Sequence, residues 1–294
     1  MRRKIFSFSG VLGIAPKKKG KTEPRPISLI PTDGRIVQRA ILNVLQKQSK
    51  LQKYLQVETS FGGIEKRGGV PQAIEKALEL IAKGASYYIK SDISKFFTKI
   101  PVKEVLNILR RELCDDEFIE LLDTSIRLEV KVLSGYEKYI HFFDFEEFGT
   151  PQGCSLSPLI GNILLFEFDN KMNDSNVSCL RYMDDFIVLA TSERAANAAF
   201  KKAQSLLVKY GLSAYESGPK VAKAKADKGW TASRFEYLGV EFDGSLRRPS
   251  RSNRNRLLDR IKENIKVSQD VIAETKSKEF KKFKDLYEKS YSKP

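Results

Sequence analysis

An α+β fold is predicted for these 294 residues. Three observations predict it. Several long stretches repeat apolar residues at helical spacing. The β-prone runs are few and short, and two of them flank a tight turn in the manner of a hairpin. No internal repeat or low-complexity domain interrupts the pattern. Helices packed on a small antiparallel sheet make this class. A chain of this length can bury a sizeable core and hold two or three subdomains.

The elements follow in order. Residues 36–48 carry apolar side chains at 36, 37, 40, 41, 44 and 45, a helical stripe. Residues 70–83 read as a second helix, stopped by Gly84. Tyr87-Tyr88-Ile89-Lys90 gives a strand near 86–91, and 102–113 returns to helical spacing. A helix over 157–172 starts at Ser157, with Pro158 in the first turn, where its missing N–H costs nothing. Strands near 178–190 are interrupted by Tyr182-Met183-Asp184-Asp185. The helix over 192–210 runs into Gly211, a C-cap. A last strand region lies near 235–242. Beyond it, Leu257, Ile261 and Ile265 mark one helix and Phe280, Phe283 and Tyr287 a second, with Lys and Arg on their other faces.

Chemistry concentrates in four places. Asp184 and Asp185 sit at a hairpin tip between Cys179-Leu180-Arg181 and Phe186-Ile187-Val188-Leu189-Ala190. Adjacent carboxylates repel unless a cation lies between them. Magnesium suits such a site, because it takes few protein carboxylates together with substrate phosphates. Asp is also a common turn residue. Asp92, in Ser91-Asp92-Ile93-Ser94-Lys95-Phe96-Phe97, falls at a strand end, where a sheet can deliver it beside that hairpin; it would also serve as an N-cap. Gly149-Thr150-Pro151-Gln152-Gly153-Cys154-Ser155 is a loop entering a helix, a place where backbone donors meet phosphate or sugar oxygens, or simply a structural cap. Lys17-Lys18-Lys19-Gly20-Lys21, followed by Arg25 between two prolines, is a basic loop able to close over a triphosphate. A lysine run is equally a solvated face or a nucleic-acid patch.

Charge is polarised along the chain. There are 52 Lys and Arg against 37 Asp and Glu, a formal net charge of +15. Residues 1–25 hold eight bases and one acid, and residues 245–294 hold fifteen and seven, so the middle balances at 29 of each. Basic ends favour polyphosphate partners with salt-sensitive affinity, or serve solubility alone. Cys114, Cys154 and Cys179 are odd in number and lack paired metal spacing. The single histidine, His141 in an aromatic stretch, reads as structural, which excludes a Cys/His zinc centre. With neither a secretory signal nor a run of membrane-spanning length, a cytoplasmic protein is expected.

Taken in order, these segments resemble the reverse transcriptases, closest to the bacterial group II intron type and its retron and phage-defence relatives. The matching stretches are Arg25-Pro26-Ile27, Asp33-Gly34-Arg35-Ile36-Val37-Gln38, Ser60-Phe61-Gly62-Gly63, residues 92–97, 149–169 and 182–190, and Phe235-Glu236-Tyr237-Leu238-Gly239. The resemblance spans roughly residues 15 to 245. It implies a right-hand polymerase, with fingers mainly in 1–90 and a palm mainly in 91–245. A fingers–palm insertion falls near 114–150, and 246–294 is a short basic thumb or a partner-binding tail. It implies RNA-directed DNA synthesis from a primer 3′-hydroxyl with two Mg2+ ions, or Mn2+ in their place. Asp92 and Asp184 would bridge the ions, the Ile93 backbone would assist, and Asp185 would support them. Phe97 would gate against a 2′-hydroxyl, with Phe96 beside it filling the core edge of the nucleotide site. Lys18, Lys21, Arg25 and Gln152 would meet the incoming nucleotide, and Lys220 would protonate the departing pyrophosphate. Tyr182, Met183, Gly153, Tyr237, Leu238 and Gly239 would contact primer and template.

The implied partners are an RNA template, a DNA or RNA primer and dNTPs, with a structured non-coding RNA or an accessory protein as further candidates, and no membrane. A bacterial retroelement or antiphage system is the implied setting. The retron branch is disfavoured, since the tail lacks Val-Thr-Gly, and no room is expected for a ribonuclease H or endonuclease domain. Rival readings are an RNA polymerase of the same fold, against which Phe97 argues, a template-independent variant, and a non-catalytic maturase-like RNA-binding protein.

Overall fold

The computed structural model describes residues 8, 10–16, 24, 26–63, 69–143, 148–174, 176–244 and 246–291, without the side chains at 287 and 289–291. Lys18, Lys21, Arg25 and the Tyr287 side chain therefore lie outside the described residues. The chain forms two compact units, residues 1–233 and 234–294.

In the first unit the order is β1 (Val11–Ile14), β2 (Ile27–Leu29), α1 (Thr32–Lys47), α2 (Gln52–Leu55), α3 (Gly69–Ala82), β3 (Tyr87–Asp92), α4 (Phe96–Lys99), α5 (Val102–Leu113), α6 (Asp116–Ile126) and β4 (Val130–Val132). Then come α7 (Ser157–Leu164), α8 (Phe166–Lys171), β5 (Val177–Tyr182), β6 (Asp185–Ala190), α9 (Glu193–Val208) and β7 (Ala226–Trp230). Two sheets result. One has the order β2-β1-β4, with β4 parallel to β1. The other, β5-β6-β3-β7, is antiparallel throughout.

The second sheet is the frame of the molecule. All six residues of β3 are buried, and so is β6 from Phe186 to Ala190. Helix α9 packs on β3 and β6, and α3 packs on β5. Helix α9 can lie close because Ala196, Ala199 and Ala203 face the sheet, and its Phe200 stacks on Phe186 at 6.3 Å. Its start is capped by Ser192, whose hydroxyl accepts from the Ala195 N–H. Helix α3 ends as expected at Gly84, which takes φ 105° while Ala85 N–H returns to the Leu80 carbonyl.

The second unit holds a three-stranded antiparallel meander, β8 (Phe235–Tyr237), β9 (Val240–Asp243) and β10 (Leu246–Pro249), followed by α10 (Arg251–Tyr291). Leu238 and Gly239, at φ 47° and 75°, make the β8–β9 turn. Positive φ at both positions matches the twist of a two-residue hairpin.

Three expectations are corrected. The tail is one helix of 41 residues, not two. No Gly or Pro occurs between Arg251 and Tyr291, so the shift in apolar stripe marks a change of face and no break. Leu257, Ile261, Ile265, Phe280 and Phe283 are all exposed on it. The helix over 157–172 divides at Leu165, but helical bonds from Leu165 N–H to Gly161 and from Asp169 N–H to Leu165 carry it across the bend. In α1 the buried face is Val37, Gln38, Ile41, Leu42 and Leu45, while Ile36 and Val44 are exposed. The face is turned because Gln38, polar by composition, is fully buried and donates to the Ser125 carbonyl at 2.8 Å.

Candidate active site

The site grows out of strand register. In the β3–β6 pairing Asp92 stands directly opposite Asp185, and in the β5–β6 pairing Tyr182 stands opposite Asp185. Met183 and Asp184 are therefore the two turn residues. Residues opposite one another in an antiparallel pair project to the same face. Ile93 N–H donates to the Asp184 carbonyl at 2.8 Å, which ties the end of β3 to the turn. The register thus brings the backbones of the three acids to one sheet end. The bond to Asp184 occupies the Ile93 N–H, which cannot itself ligate a cation.

Met183 holds φ 61°, a conformation uncommon for a side chain of its size. The segment Ser60–Gly63 secures it. A Cβ on Gly62 would come within 2.8 Å of the Met183 backbone nitrogen, and one on Gly63 within 2.4 Å of Pro158 Cβ. Only glycine permits this close approach.

Burial and like charge dominate the electrostatics. Asp184 is raised above the ordinary carboxylate range, first by burial and then by the charge of Asp92. Asp185 is pushed up to about 7 by burial and by Asp184 and Asp92, with Lys225 and Lys90 opposing. Lys225 sits directly on Asp92, its ammonium bonded to the carboxylate and lying 5.3 Å from the Tyr215 ring centroid. Burial works against this ammonium, yet Asp92 outweighs it and holds the Lys225 pKa above its usual range.

Among the described residues no group of three or more His, Cys, Asp or Glu forms a ready metal cage. The carboxylates share one strand end without converging, since like charges stay apart and Asp92 turns to Lys225. The donor set nevertheless fits divalent cations. The site gathers three acids, and the ammonium bonded to Asp92 is that of Lys225, which a cation can displace.

The Asp185 shift has a measurable consequence. From about pH 4 to about pH 7 the native protein keeps a proton that the unfolded chain has released, so stability falls as pH rises through that window. Thermal melts in chelator between pH 4.5 and 7.5 should show a falling melting temperature. Asp185→Asn should flatten that slope; equal slopes in both proteins would refute the assignment.

A cleft of about 620 Å³ opens beside the acids, in the size range of ligand sites. Asp92, Asp184, Phe96, Phe97, Gln152, Gly153, Tyr215 and Lys225 line it, together with Pro158 at the start of α7. The loop carrying Gln152 is laced to its surroundings. Thr150 N–H donates to the Phe97 carbonyl, Gly149 N–H to Ile100, and Ser28 N–H to the Gln152 carbonyl. Gly153, at φ 116°, passes so close to β2 that a Cβ would lie 2.8 Å from the Ser28 carbonyl oxygen. Phe97 is half-buried and meets Phe96 edge to face at 5.1 Å, while Phe96 itself is buried at 2% exposure.

Other expected residues lie elsewhere. Lys220 is exposed and is not among the residues that line the cleft. Tyr237, Leu238 and Gly239 belong to the second unit, where the Gly239 carbonyl accepts from Ser250 N–H and Asn253 Nδ2. Three lining residues escaped the sequence reading. Lys225 and Tyr215 come from a stretch without a regular period, and only the β7 pairing brings Lys225 to Asp92, whose N–H donates to the Lys225 carbonyl. His141, expected to be structural, is exposed and lines the cleft beside Phe142.

Comparison with known proteins agrees with this arrangement. The family model "Reverse transcriptase (RNA-dependent DNA polymerase)" matches residues 15–242. Protein YkfC of Escherichia coli K12 is 29% identical over 167 residues, covering 55% of this chain and 40% of that protein. The putative COX1/OXI3 intron 2 protein of Saccharomyces cerevisiae is 30% identical over 101 residues, 32% of this chain and 11% of that protein. The chain thus spans less than half the length of either relative. Among solved structures, apo telomerase of Candida tropicalis, truncated from its C-terminal domain, superimposes with a TM-score of 0.54 at 14% identity, over 84% of this chain and 56% of that one. Telomerase of Candida albicans, in complex with a fragment of telomeric RNA, gives 0.53 at 11% identity, over 82% and 45%. The α+β polymerase fold, the acids at the β3–β6 end and a match over more than three-quarters of the sequence lead to one assignment: this chain belongs to the reverse transcriptase family.

Proposed function

We propose that the chain is an RNA-directed DNA polymerase that adds deoxynucleotides to a primer 3′-hydroxyl. The observation that carries this is the meeting of Asp92, Asp184 and Asp185 at one strand end, beside a cleft walled by Phe97 and Gln152. Asp92 and Asp184 would hold two Mg2+ ions, or Mn2+, with Asp185 behind them. When bound, such ions lower the pKa of the primer hydroxyl and neutralise charge on the triphosphate. The protein's own part is positioning and charge stabilisation, as phosphoryl transfer requires.

Each wall of the cleft then has a task. Phe97 closes the space beneath the sugar. Gln152 and Gly153 border the incoming nucleotide and template; Lys18, Lys21 and Arg25, outside the described residues, are proposed to bind the triphosphate. Tyr182 and Met183 face the primer end; Tyr237, Leu238 and Gly239, in the second unit, are given a primer-backbone role by the family resemblance alone. Lys225, whose ammonium already lies at the acids, takes the proton-donating task toward pyrophosphate in place of the exposed Lys220. In this reading residues 1–90 serve mainly as fingers, 91–245 mainly as palm and 246–294 as a basic thumb. The cognate RNA belongs to a bacterial retroelement or antiphage system.

Extension of oligo(dT) on poly(rA) with dTTP and Mg2+ tests the proposal. Template-dependent incorporation is expected. Folded protein that binds the template–primer without extending it would establish the non-catalytic reading, and extension without template would establish the template-independent one.

A further inference from the structure

The largest fully buried side chain among the described residues is a charged one, Arg181 of β5, at 1% exposure. An isolated guanidinium is costly to bury, so each of its donors needs a partner. The partners lie on three separate parts of the chain. Nε and Nη2 grip both oxygens of Asp169 in α8, at 2.7 and 2.5 Å. Nη2 also donates to Ser60 Oγ at 2.8 Å. Nη1 donates to the Met183 carbonyl at 3.0 Å.

That last bond reaches the reacting end of the sheet. The Met183 carbonyl belongs to the peptide that leads into Asp184, so fixing it fixes the plane from which the Asp184 Cα departs. Asp184's own carbonyl is held by Ile93 N–H. The Asp184 backbone is therefore clamped from both sides. The clamp also reaches the segment beneath the turn. Arg181 N–H donates to the Thr59 carbonyl, Phe61 N–H donates to the Arg181 carbonyl, and Asn162 Nδ2 donates to the Gly62 carbonyl. Met183, whose side chain rests on Gly62 and Gly63, is thus held in its positive-φ conformation by a frame centred on one guanidinium.

We infer that Arg181 is a positioning residue for Asp184, with Asp169 as the anchor that aims it. This inference rests on the polymerase reading for its kinetic consequence and on the geometry alone for its consequence in cation binding. Lysine cannot replace arginine here. Its ammonium is a point charge and cannot span Asp169, Ser60 and the Met183 carbonyl at once.

Two variants separate positioning from mere support of the fold. Arg181→Lys keeps the charge. The double variant Arg181→Met with Asp169→Leu removes both charges together, a replacement that leaves buried pairs' stability neutral or improved. Both should bind Mn2+, followed by electron paramagnetic resonance, about 10–100-fold more weakly than the wild type. In primer extension kcat should fall by about the same factor with KM for template–primer unchanged. A folded double variant with wild-type Mn2+ affinity and wild-type kcat would overturn the inference. Failure of the wild type itself to extend a primer would instead count against the polymerase reading, and the Mn2+ comparison would still decide the clamp.

Discussion

Asp184→Asn is expected to abolish primer extension, by ~10³-fold or more, equivalent to ~4 kcal/mol of transition-state stabilisation, while leaving the protein as stable as before or more so. The two halves of this expectation come from the same electrostatics. Asp184 is raised above the ordinary carboxylate range by burial and by Asp92, so its negative charge works against the fold. An amide of the same shape removes that repulsion and keeps the backbone bond from Ile93, which uses the Asp184 carbonyl and not its side chain. What would be lost is the carboxylate proposed to hold a divalent cation. Asp92→Asn gives a useful contrast. It would deprive Lys225 of its carboxylate and leave an ammonium partly buried, so activity and melting temperature should fall together. The measurement is steady-state extension on poly(rA)·oligo(dT) beside a thermal melt in chelator. Activity within tenfold of wild type in Asp184→Asn would place the chemistry elsewhere in the molecule. This trade of stability for function is common where acids are gathered for catalysis.

The parts of this site that could be read from sequence are those with a local signature. The hairpin needed only two β-prone runs around a polar tetrad, and Asp92 only a strand before it. Phe97 and Gln152 come only from the family resemblance, and both line the cleft. The parts that could not be read depend on contacts distant along the chain. Lys225 reaches Asp92 only because β7 pairs with β3 across a separation of more than a hundred residues. The sheet β2-β1-β4 was missed for the same reason, since its strands are three or four residues long and β4 comes from the stretch expected to be an insertion. Arg181 did leave a trace. A lone charged residue at an inward position of an otherwise buried strand asks for a buried partner, and Asp169 stood within a matched segment. The tail holds no Gly or Pro between Arg251 and Tyr291, and it is those residues, with caps, that mark helix ends, which apolar spacing does not.

Phe97→Ala should relax sugar selectivity, raising incorporation of ribonucleotides relative to deoxynucleotides by about 10–200-fold, or ~1–3 kcal/mol of discrimination. The reasoning begins with rigidity, because a ring excludes a 2′-hydroxyl only if it cannot move aside. Phe97 meets Phe96 edge to face, and Phe96 in turn lies beneath α7 so tightly that a Cβ on Gly161 would fall 2.8 Å from its ring. The backbone is fixed too, since the Phe97 carbonyl accepts from Thr150 N–H at 2.7 Å, in the loop that carries Gln152. The Phe97 backbone and the Gln152 loop are therefore tied together, and the ring lines the same cleft as Asp92 and Asp184. Truncation to Ala opens space beneath the sugar without touching an acid, so deoxynucleotide extension should persist while the ratio of kcat/KM values for rNTP and dNTP climbs. Phe97→Tyr, which keeps the ring, should leave the ratio near that of wild type. An unchanged ratio in Phe97→Ala would mean that the ring does not lie under the sugar, and the argument against an RNA polymerase would fall with it.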